Sequence, residues 1–210
     1  MINTLLQHQW KSFWRSRSAG RNITMQIIIG FFVLYLTGVA IFLGFSLDKI
    51  LAEGFPGKDI VTVFMGLILY YFAFDLIMRF ILQDLPTLAV QPYLTQNIRR
   101  GKLVMFLNVR SLFSIFIFLP LFLFIPFITT VISAKYGSLV SLSMVICIFS
   151  LAIFNHFLAL FIKRKTILNQ WWLIGFFVAI LLVIAADYYY IFSFRIFSEA
   201  VFMQVAKSPL

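Results

Sequence analysis

Two oppositely charged residues lie in the apolar stretch Ile60–Leu82. Asp75 and Arg79 are four positions apart, so a helix would place them on one face and close enough to pair. A single charge at the centre of a bilayer costs about 2.5–3.5 kcal/mol on insertion scales, and pairing lowers that cost. The spacing therefore predicts an intramembrane ion pair. It could be a self-neutralised pair facing other helices, an interhelix latch or hinge, or the lining of a transport path.

Other polar residues also interrupt apolar runs. Asn155 and His156 are adjacent in a later run, and Asp187 precedes three tyrosines near the end of the last run. We expect His156 to hydrogen-bond to a neighbouring helix, because no acid or cysteine lies close enough in sequence to share a metal. Tyrosines are typical of the membrane interface, where water would reach Asp187. The single cysteine, Cys147, cannot form an internal disulfide and is expected to pack or to face lipid.

The sequence lacks the common motifs of nucleotide binding, hydrolysis and metal binding. Gly101-Lys102-Leu103 has no other part of a phosphate-binding loop, and neither His-Glu-x-x-His nor Gly-x-Ser-x-Gly occurs. We therefore expect no catalytic residues, no cofactor and no metal in this chain. An intramembrane enzyme would require Asp75, His156 and Asp187 to converge.

The composition predicts a membrane protein. Of the 210 residues, 62% are hydrophobic and only 11% are charged, whereas about 25% of the residues of a soluble domain are charged. The formal net charge is +10, but the cations form short clusters between apolar runs. That arrangement indicates membrane orientation and not nucleic-acid binding.

Five apolar runs are long enough to cross a bilayer, since about 20 helical residues span its hydrocarbon core. Lipid offers no partners to backbone groups, so each run must be helical. The predicted spans are 23–47, 60–82, 103–132, 138–162 and 171–194. The third exceeds one bilayer thickness, and Pro120 and Pro126 predict kinks in it. The predicted fold class is all-α, a polytopic transmembrane helix bundle of about five spans within residues 23–195.

Basic residues are concentrated in alternate connecting segments. The segment before the first span, the loop after the second and the loop after the fourth are basic, and the remaining loops are nearly neutral. The positive-inside bias assigns the three basic segments to the cytoplasm. We therefore expect a multi-pass protein of the bacterial inner membrane with a cytoplasmic N-terminus.

Residues 1–22 form a predicted amphipathic helix. Trp10 and Trp14 fall on one face, and Lys11 and Arg15 fall on the other. A helix of this kind lies flat at the level of the lipid headgroups. It is expected to anchor the first span, and it could also contact a cytoplasmic partner.

The predicted cytoplasmic loop from Gln83 to Lys102 is the longest in the chain. Its two prolines interrupt helix formation, and it contains more apolar residues than a solvated connector needs. We expect it to fold back on the membrane surface or on a partner, with a plain connector as the alternative. The candidate partner-coupling residues are Leu85, Pro86, Pro92, Tyr93, Arg99, Arg100 and Lys102.

The order of interface helix, two spans and long basic loop resembles that of the permease subunits of type-2 ABC exporters. Four short stretches are more narrowly similar to a bacterial family of permease-like proteins: Tyr70–Phe80, Leu85-Pro86, Gln91–Leu94 and Leu119–Phe122. In such exporters the loop between the second and third spans docks on a separate ATPase. The resemblance implies that residues 85–102 are a coupling loop and residues 2–21 an interface helix.

The resemblance has one departure. Exporters of this type usually have six spans, with a short re-entrant segment between the fifth and the sixth. Residues 196–210 are expected to form an outer tail or the start of such a segment. The chain resembles the N-terminal portion of a longer permease.

Our leading hypothesis is a membrane permease component of an ABC-type export system, which moves its substrate with ATP hydrolysed by a separate subunit. The expected partners are the lipid bilayer, an ATP-binding subunit and a second permease half, which a homodimer would supply. No nucleic acid is expected. The alternatives are a non-transporting membrane scaffold or assembly protein, and an intramembrane enzyme.

Overall fold

A computed structural model describes residues 19–83, 100–189 and 192–207 of this chain. Every regular element in these ranges is helical, and five helical runs are long and apolar enough to cross a membrane. The predicted all-α, multi-pass architecture is thus confirmed. The elements are α1 (Ala19–Gly54), α2 (Ile60–Leu82), α3 (Arg100–Ser111), α4 (Ile115–Phe127), a π-helical turn (Ile128–Ile132), α5 (Ser133–Tyr136), α6 (Ser138–Leu168), α7 (Trp171–Tyr188) and α8 (Phe194–Lys207).

The chain divides into two compact units. The first comprises residues 1–39 and 86–115, and the second comprises residues 40–85 and 116–210. In its described part, the first unit holds the beginning of α1 and the helix α3, where Phe106 is buried. The second unit holds all the buried polar side chains found among the described residues.

The third predicted span is divided between two helices. Residues 112–114 separate α3 from α4, and the helical path then continues through the π turn to the end of α5. A helix over residues 115–136 is about 33 Å long, which is close to one bilayer thickness. The surplus length of the predicted span therefore belongs to a helix of its own, α3.

Buried residues of α2 recur at spacings of three and four, so they form one stripe along the helix. In chain order they include Val61, Met65, Ile68, Phe72, Asp75 and Arg79. The stripe changes from apolar to charged towards the end of the helix but faces protein throughout. It packs against α6 and α8, and the buried residues of α6 likewise include the polar pair Asn155 and His156.

The helix α4 packs closely on α1 and α2. The Phe64 ring of α2 lies 5.5 Å from that of Phe124 and 4.3 Å from that of Phe127, measured between centroids. On α1, a methyl group added at Gly44 would collide with the Leu123 carbonyl and lie 3.0 Å from Pro126 Cγ. The two backbones therefore approach at a distance that only glycine permits.

The fifth predicted span, 171–194, is interrupted. The helix α7 ends at Tyr188, and α8 begins at Phe194. No residue of α7 is buried, whereas α8 buries Ser198, Phe202 and Ala206 and packs against α2 and α6. Residues 194–207 are therefore a packed helix of the second unit.

Candidate functional site

The predicted charge pair lies at the end of the buried stripe of α2. Arg79 Nε donates to Asp75 Oδ2 across 2.6 Å, and the side chains are 0% and 6% exposed. Because both residues lie on the face of α2 that contacts protein, neither charge meets lipid. Further partners must come from neighbouring helices.

Asn155 of α6 supplies the first of these partners. Its amide Nδ2 donates to Asp75 Oδ2 across 2.7 Å and to the Phe72 carbonyl across 3.0 Å. Both of its partners are acceptors, so the orientation of the amide is fixed by chemistry. Asn155 thereby joins α6 to both the side chain and the backbone of α2.

The second partner of the charge pair is the Phe116 carbonyl of α4. Arg79 Nη2 donates to this oxygen, and the guanidinium also lies 5.9 Å from the centroid of the Phe116 ring. In an uninterrupted helix the carbonyl would accept from the amide of residue 120, but Pro120 has no N–H. Arg79 thus satisfies an oxygen that the proline leaves without a helical donor. We call Asp75, Arg79, Asn155 and the Phe116 carbonyl the Arg79 cluster.

A second set of contacts lies where α2 ends. The backbone N–H of Gln83 donates to the Arg79 carbonyl, and the Gln83 side-chain Nε2 lies 3.0 Å from His156 Nδ1. Lys163 Nζ donates to the Gln83 carbonyl across 2.5 Å. Gln83, the last described residue before position 100, is therefore held by α6 at two points.

Polar atoms remain unpaired beside these contacts. Arg79 Nη1, Gln83 Oε1 and His156 Nε2 are buried and have no hydrogen-bond partner in the part of the chain that the structure describes. Which of the two atoms Gln83 Nε2 and His156 Nδ1 donates depends on the tautomer of the imidazole ring.

Cations surround this end of α6. Lys163, Arg164 and Lys165 occur in its last two turns, and Lys165 Nζ lies 5.6 Å from the ring centroids of both Phe161 and Trp172. Aromatic rings beside lysine are typical of a membrane interface. These three cations lie at the end of α6 that bonds to Gln83.

A polar junction of a different kind connects α7, α8 and α2. Tyr70 Oη donates to Asp187 Oδ2 across 2.5 Å, and the backbone N–H of Phe194 donates to Asp187 Oδ1 across 3.0 Å. One carboxylate thus binds α2 and accepts from the first amide of α8, a group that has no partner within its own helix. Asp187 is half-buried, and the access of water to it stays a prediction.

A side chain of α8 also forms hydrogen bonds with backbone groups of α2. Ser198 Oγ donates to the Met65 carbonyl across 2.5 Å and lies 3.4 Å from the Leu69 nitrogen. These two backbone groups are the usual hydrogen-bond partners of one helical turn. Gly66 provides the space, since a methyl group there would lie 2.9 Å from Arg195 Cγ.

An exposed ion pair lies at the N-terminal end of α2. Asp59 Oδ2 accepts from the Thr62 amide as an N-cap, and Asp59 Oδ1 lies 2.5 Å from Lys135 Nζ of α5. The hydrogen bond from Lys135 lowers the pKa of the Asp59 carboxyl below its ordinary value of 3.8. The pair connects α2 to α5 at the surface.

Many of the predicted partner-binding residues lie outside the described residues. These are Trp10, Lys11, Trp14 and Arg15 of the interface helix and Leu85, Pro86, Pro92, Tyr93 and Arg99 of the loop. Arg100 and Lys102 lie in the first turn of α3.

The residues that an intramembrane enzyme would need have different partners. Asp75 binds Arg79 and Asn155, His156 binds Gln83, and Asp187 binds Tyr70. Among the described residues, no three His, Cys, Asp or Glu side chains are grouped so that they could hold a metal ion. The Arg79 cluster joins α2, α4 and α6 through these hydrogen bonds.

Sequence reasoning missed two members of the cluster. Asn155 was noticed as polar, but nothing local connects it to Asp75, which is 80 positions away. The Phe116 carbonyl has a signal in Pro120, because a proline frees the carbonyl four positions earlier. That signal identifies the free oxygen but not the side chain that binds it.

Comparisons with known proteins give a family but no described relative. Neither the curated proteins nor the solved structures contain a significant match to this chain. One family model covers residues 9–210, and its description is a family of unknown function, DUF5687. The match includes both the Arg79 cluster and the Asp187 junction, and the chain therefore belongs to the DUF5687 family.

Proposed function

We propose that this chain is the membrane permease component of an ABC-type export system, whose ATP is hydrolysed by a separate subunit. The observation that carries the proposal is the attachment of Gln83. This residue begins the predicted loop of residues 83–102, and it is bonded to α6 through Lys163 and His156. A force applied to the loop would therefore reach the Arg79 cluster directly.

The Arg79 cluster would distribute such a force among three helices. Arg79 and Asp75 belong to α2, Asn155 to α6 and Phe116 to α4. Buried charge-assisted bonds are stronger and more directional than apolar contacts. The three helices would consequently move together at this end, as a coupled transporter requires.

The helices also contain sites where they can bend. Pro120 and Pro126 interrupt the backbone ladder of α4, a π turn follows at Ile128–Ile132, and α7 is separated from α8. Helix breaks of these kinds are where membrane helices change direction. When the coupled ends rotate relative to the rest of the helices, we expect the helices to bend at these breaks.

The expected orientation agrees with this scheme. With the N-terminus in the cytoplasm of a bacterial inner membrane, the Gln83 end of α2 and the basic end of α6 face the cytoplasm. An ATPase would dock there, since the chain has no phosphate-binding loop of its own. A second copy or a second permease half would complete the transporter beside α7, whose apolar surface is exposed in the single chain.

Affinity purification of the tagged full-length chain from its native membranes tests the proposal. We expect a protein with a nucleotide-binding motif to co-purify, and its ATP hydrolysis to rise in the presence of the chain. The double variant Arg99→Glu, Arg100→Glu should abolish this association. Lys135→Glu, at the opposite end of the helices, is the matched control and should retain it.

Coupling is tested separately from docking. Gln83→Ala with Lys163→Gln should retain the associated ATPase but lose the rise in ATP hydrolysis, because the loop would no longer be attached to α6. If no nucleotide-binding protein co-purifies, and the Arg99, Arg100 variant behaves like the native chain, the proposal is wrong. A stable partner without ATPase activity would instead favour a membrane scaffold.

A further inference from the structure

One face of α6, near its last turn, combines cations with exposed apolar side chains. Phe161, Arg164, Lys165 and Leu168 are separated by three or four positions, so they lie side by side on the helix. Phe161 is 51% exposed and Leu168 is 72% exposed, and Arg164 is exposed as well. Cations beside exposed apolar side chains are typical of the level at which lipid headgroups meet hydrocarbon.

The turn after α6 brings a second aromatic ring to this face. The Asn169 N–H donates to the Lys165 carbonyl across 2.9 Å, and the Asn169 carbonyl accepts from the Trp172 N–H across 3.1 Å. The Asn169 side-chain Oδ1 also accepts from the Trp171 N–H across 3.1 Å. Lys165 Nζ lies 5.6 Å from the ring centroids of both Phe161 and Trp172, which are 6.4 Å apart. The ammonium is thus positioned between two rings of different helices.

The surrounding sequence offers these cations no acid. It contains no aspartate or glutamate from Leu85 to Ala186. Among the described residues, neither Arg164 nor Lys165 forms an ion pair. Lysine and arginine at a membrane surface are attracted to anionic lipid, so this face favours an acidic headgroup.

We propose that Phe161, Arg164, Lys165 and Trp172 form a binding site for an acidic phospholipid such as phosphatidylglycerol. Arg164 and Lys165 hold the phosphate of the headgroup, and the rings of Phe161 and Trp172 contact the acyl chains. A soluble anion or an acidic protein segment would use the two cations but not the exposed rings, so the surface favours a lipid. This binding is independent of the proposed ATPase partner.

Quenching of Trp172 fluorescence by brominated lipids tests the site. The reporter is the full-length chain with Trp10→Phe, Trp14→Phe and Trp171→Phe, which leaves Trp172 as its single tryptophan. It is reconstituted into vesicles of phosphatidylcholine that contain a small, fixed fraction of phosphatidylglycerol. Bromine is carried on the acyl chains either of the phosphatidylglycerol or of an equal amount of the phosphatidylcholine. We expect stronger quenching in the first case, because acidic lipid is concentrated beside Trp172.

Removal of the two cations should reduce this preference. In the reporter chain, Arg164→Gln with Lys165→Met should lower the enrichment of phosphatidylglycerol about fivefold for each cation removed. Methionine keeps an apolar stem beside the rings without the charge. Lys135→Gln with Lys207→Gln is the matched control, because it removes two exposed cations of other helices and gives the same net charge. The control should retain the preference.

A conservative variant checks that the charges, and not the particular side chains, are required. Arg164→Lys with Lys165→Arg keeps both cations and should keep the preference for phosphatidylglycerol. Equal quenching by the two brominated lipids in the reporter chain would overturn the proposal. So would a preference that survives the loss of both cations, or one that the control variant loses to the same extent, since general charge attraction would then explain it.

Discussion

Arg79 of α2 donates a hydrogen bond to the Phe116 carbonyl of α4, the oxygen that Pro120 leaves without a helical donor. The same guanidinium binds Asp75, so one side chain pairs with a buried acid and donates to a carbonyl that lacks its helical donor. The relationship explains how a charge and a proline can both lie in apolar helices. Arg79 gains an acceptor for its buried N–H group, and the Phe116 carbonyl gains a donor.

Removal of Arg79 should be strongly destabilising. Arg79→Met leaves Asp75 buried without its counter-charge, and breaking a buried pair in this way costs about 3–5 kcal/mol. Adding Asp75→Asn should recover more than half of that loss, because Asn retains an acceptor for Asn155 without a charge. Unfolding in detergent with increasing denaturant measures both variants. Equal stability of the single and double variants would contradict the assignment.

Pro120→Ala should partly rescue Arg79→Met. The new amide at position 120 can donate to the Phe116 carbonyl, which regains about 1 kcal/mol for one buried hydrogen bond. Pro126→Ala is the matched control, because it supplies an amide to a different carbonyl in the same helix. A double-mutant cycle measures the coupling. The interpretation fails if Pro126→Ala rescues Arg79→Met equally well.

Gly44→Ala should destabilise the contact between α1 and α4. The added methyl group would collide with the backbone oxygen of Leu123, and overpacking of this kind costs about 1–3 kcal/mol. Gly38→Ala on the same helix meets no atom within 4 Å and should be neutral or stabilising, since alanine favours the helix. Thermal unfolding compares the two. A loss at Gly38 as large as that at Gly44 would indicate a general intolerance of α1.

Asp187→Ala should loosen α8. It removes the acceptor of both Tyr70 and the Phe194 amide, and the loss of such a capping bond costs about 0.5–2 kcal/mol. Hydrogen exchange of the first amides of α8 should become faster. Tyr70→Phe removes only one of the two bonds and should have a smaller effect, of about 0.5–1.5 kcal/mol. Unchanged exchange in Asp187→Ala would show that α8 is held by its apolar contacts alone.

The ion pair between Asp59 and Lys135 should make a small contribution that depends on pH. Because folding lowers the pKa of Asp59, the stabilisation is fully present above the ordinary carboxyl pKa and is lost as the pH falls through the lowered value. Comparison of the native chain with Lys135→Gln over that pH range measures it. The difference should shrink with added salt, since the pair is exposed. A difference that grows towards low pH would have the wrong sign.

The sequence by itself determined the properties that depend on one segment at a time. Hydrocarbon leaves backbone groups no partner outside their own helix, so long apolar runs had to be helices, and the spacing of Asp75 and Arg79 placed their side chains together. The bounds of α2 agree with the predicted span 60–82 for the same reason. Each of these features depends only on residues that are close together in the sequence.

Only the tertiary structure decided which segments meet. Asn155 lies 80 positions from Asp75, and Phe116 lies 37 positions from Arg79, so no spacing in the chain relates them. The bond between Asp187 and Tyr70 likewise joins residues that are 117 positions apart, and the sequence from 189 to 193 has no glycine or proline that would predict the end of α7 at Tyr188. Buried polar groups take whichever donors and acceptors packing brings within reach, and packing is a property of the assembled helices.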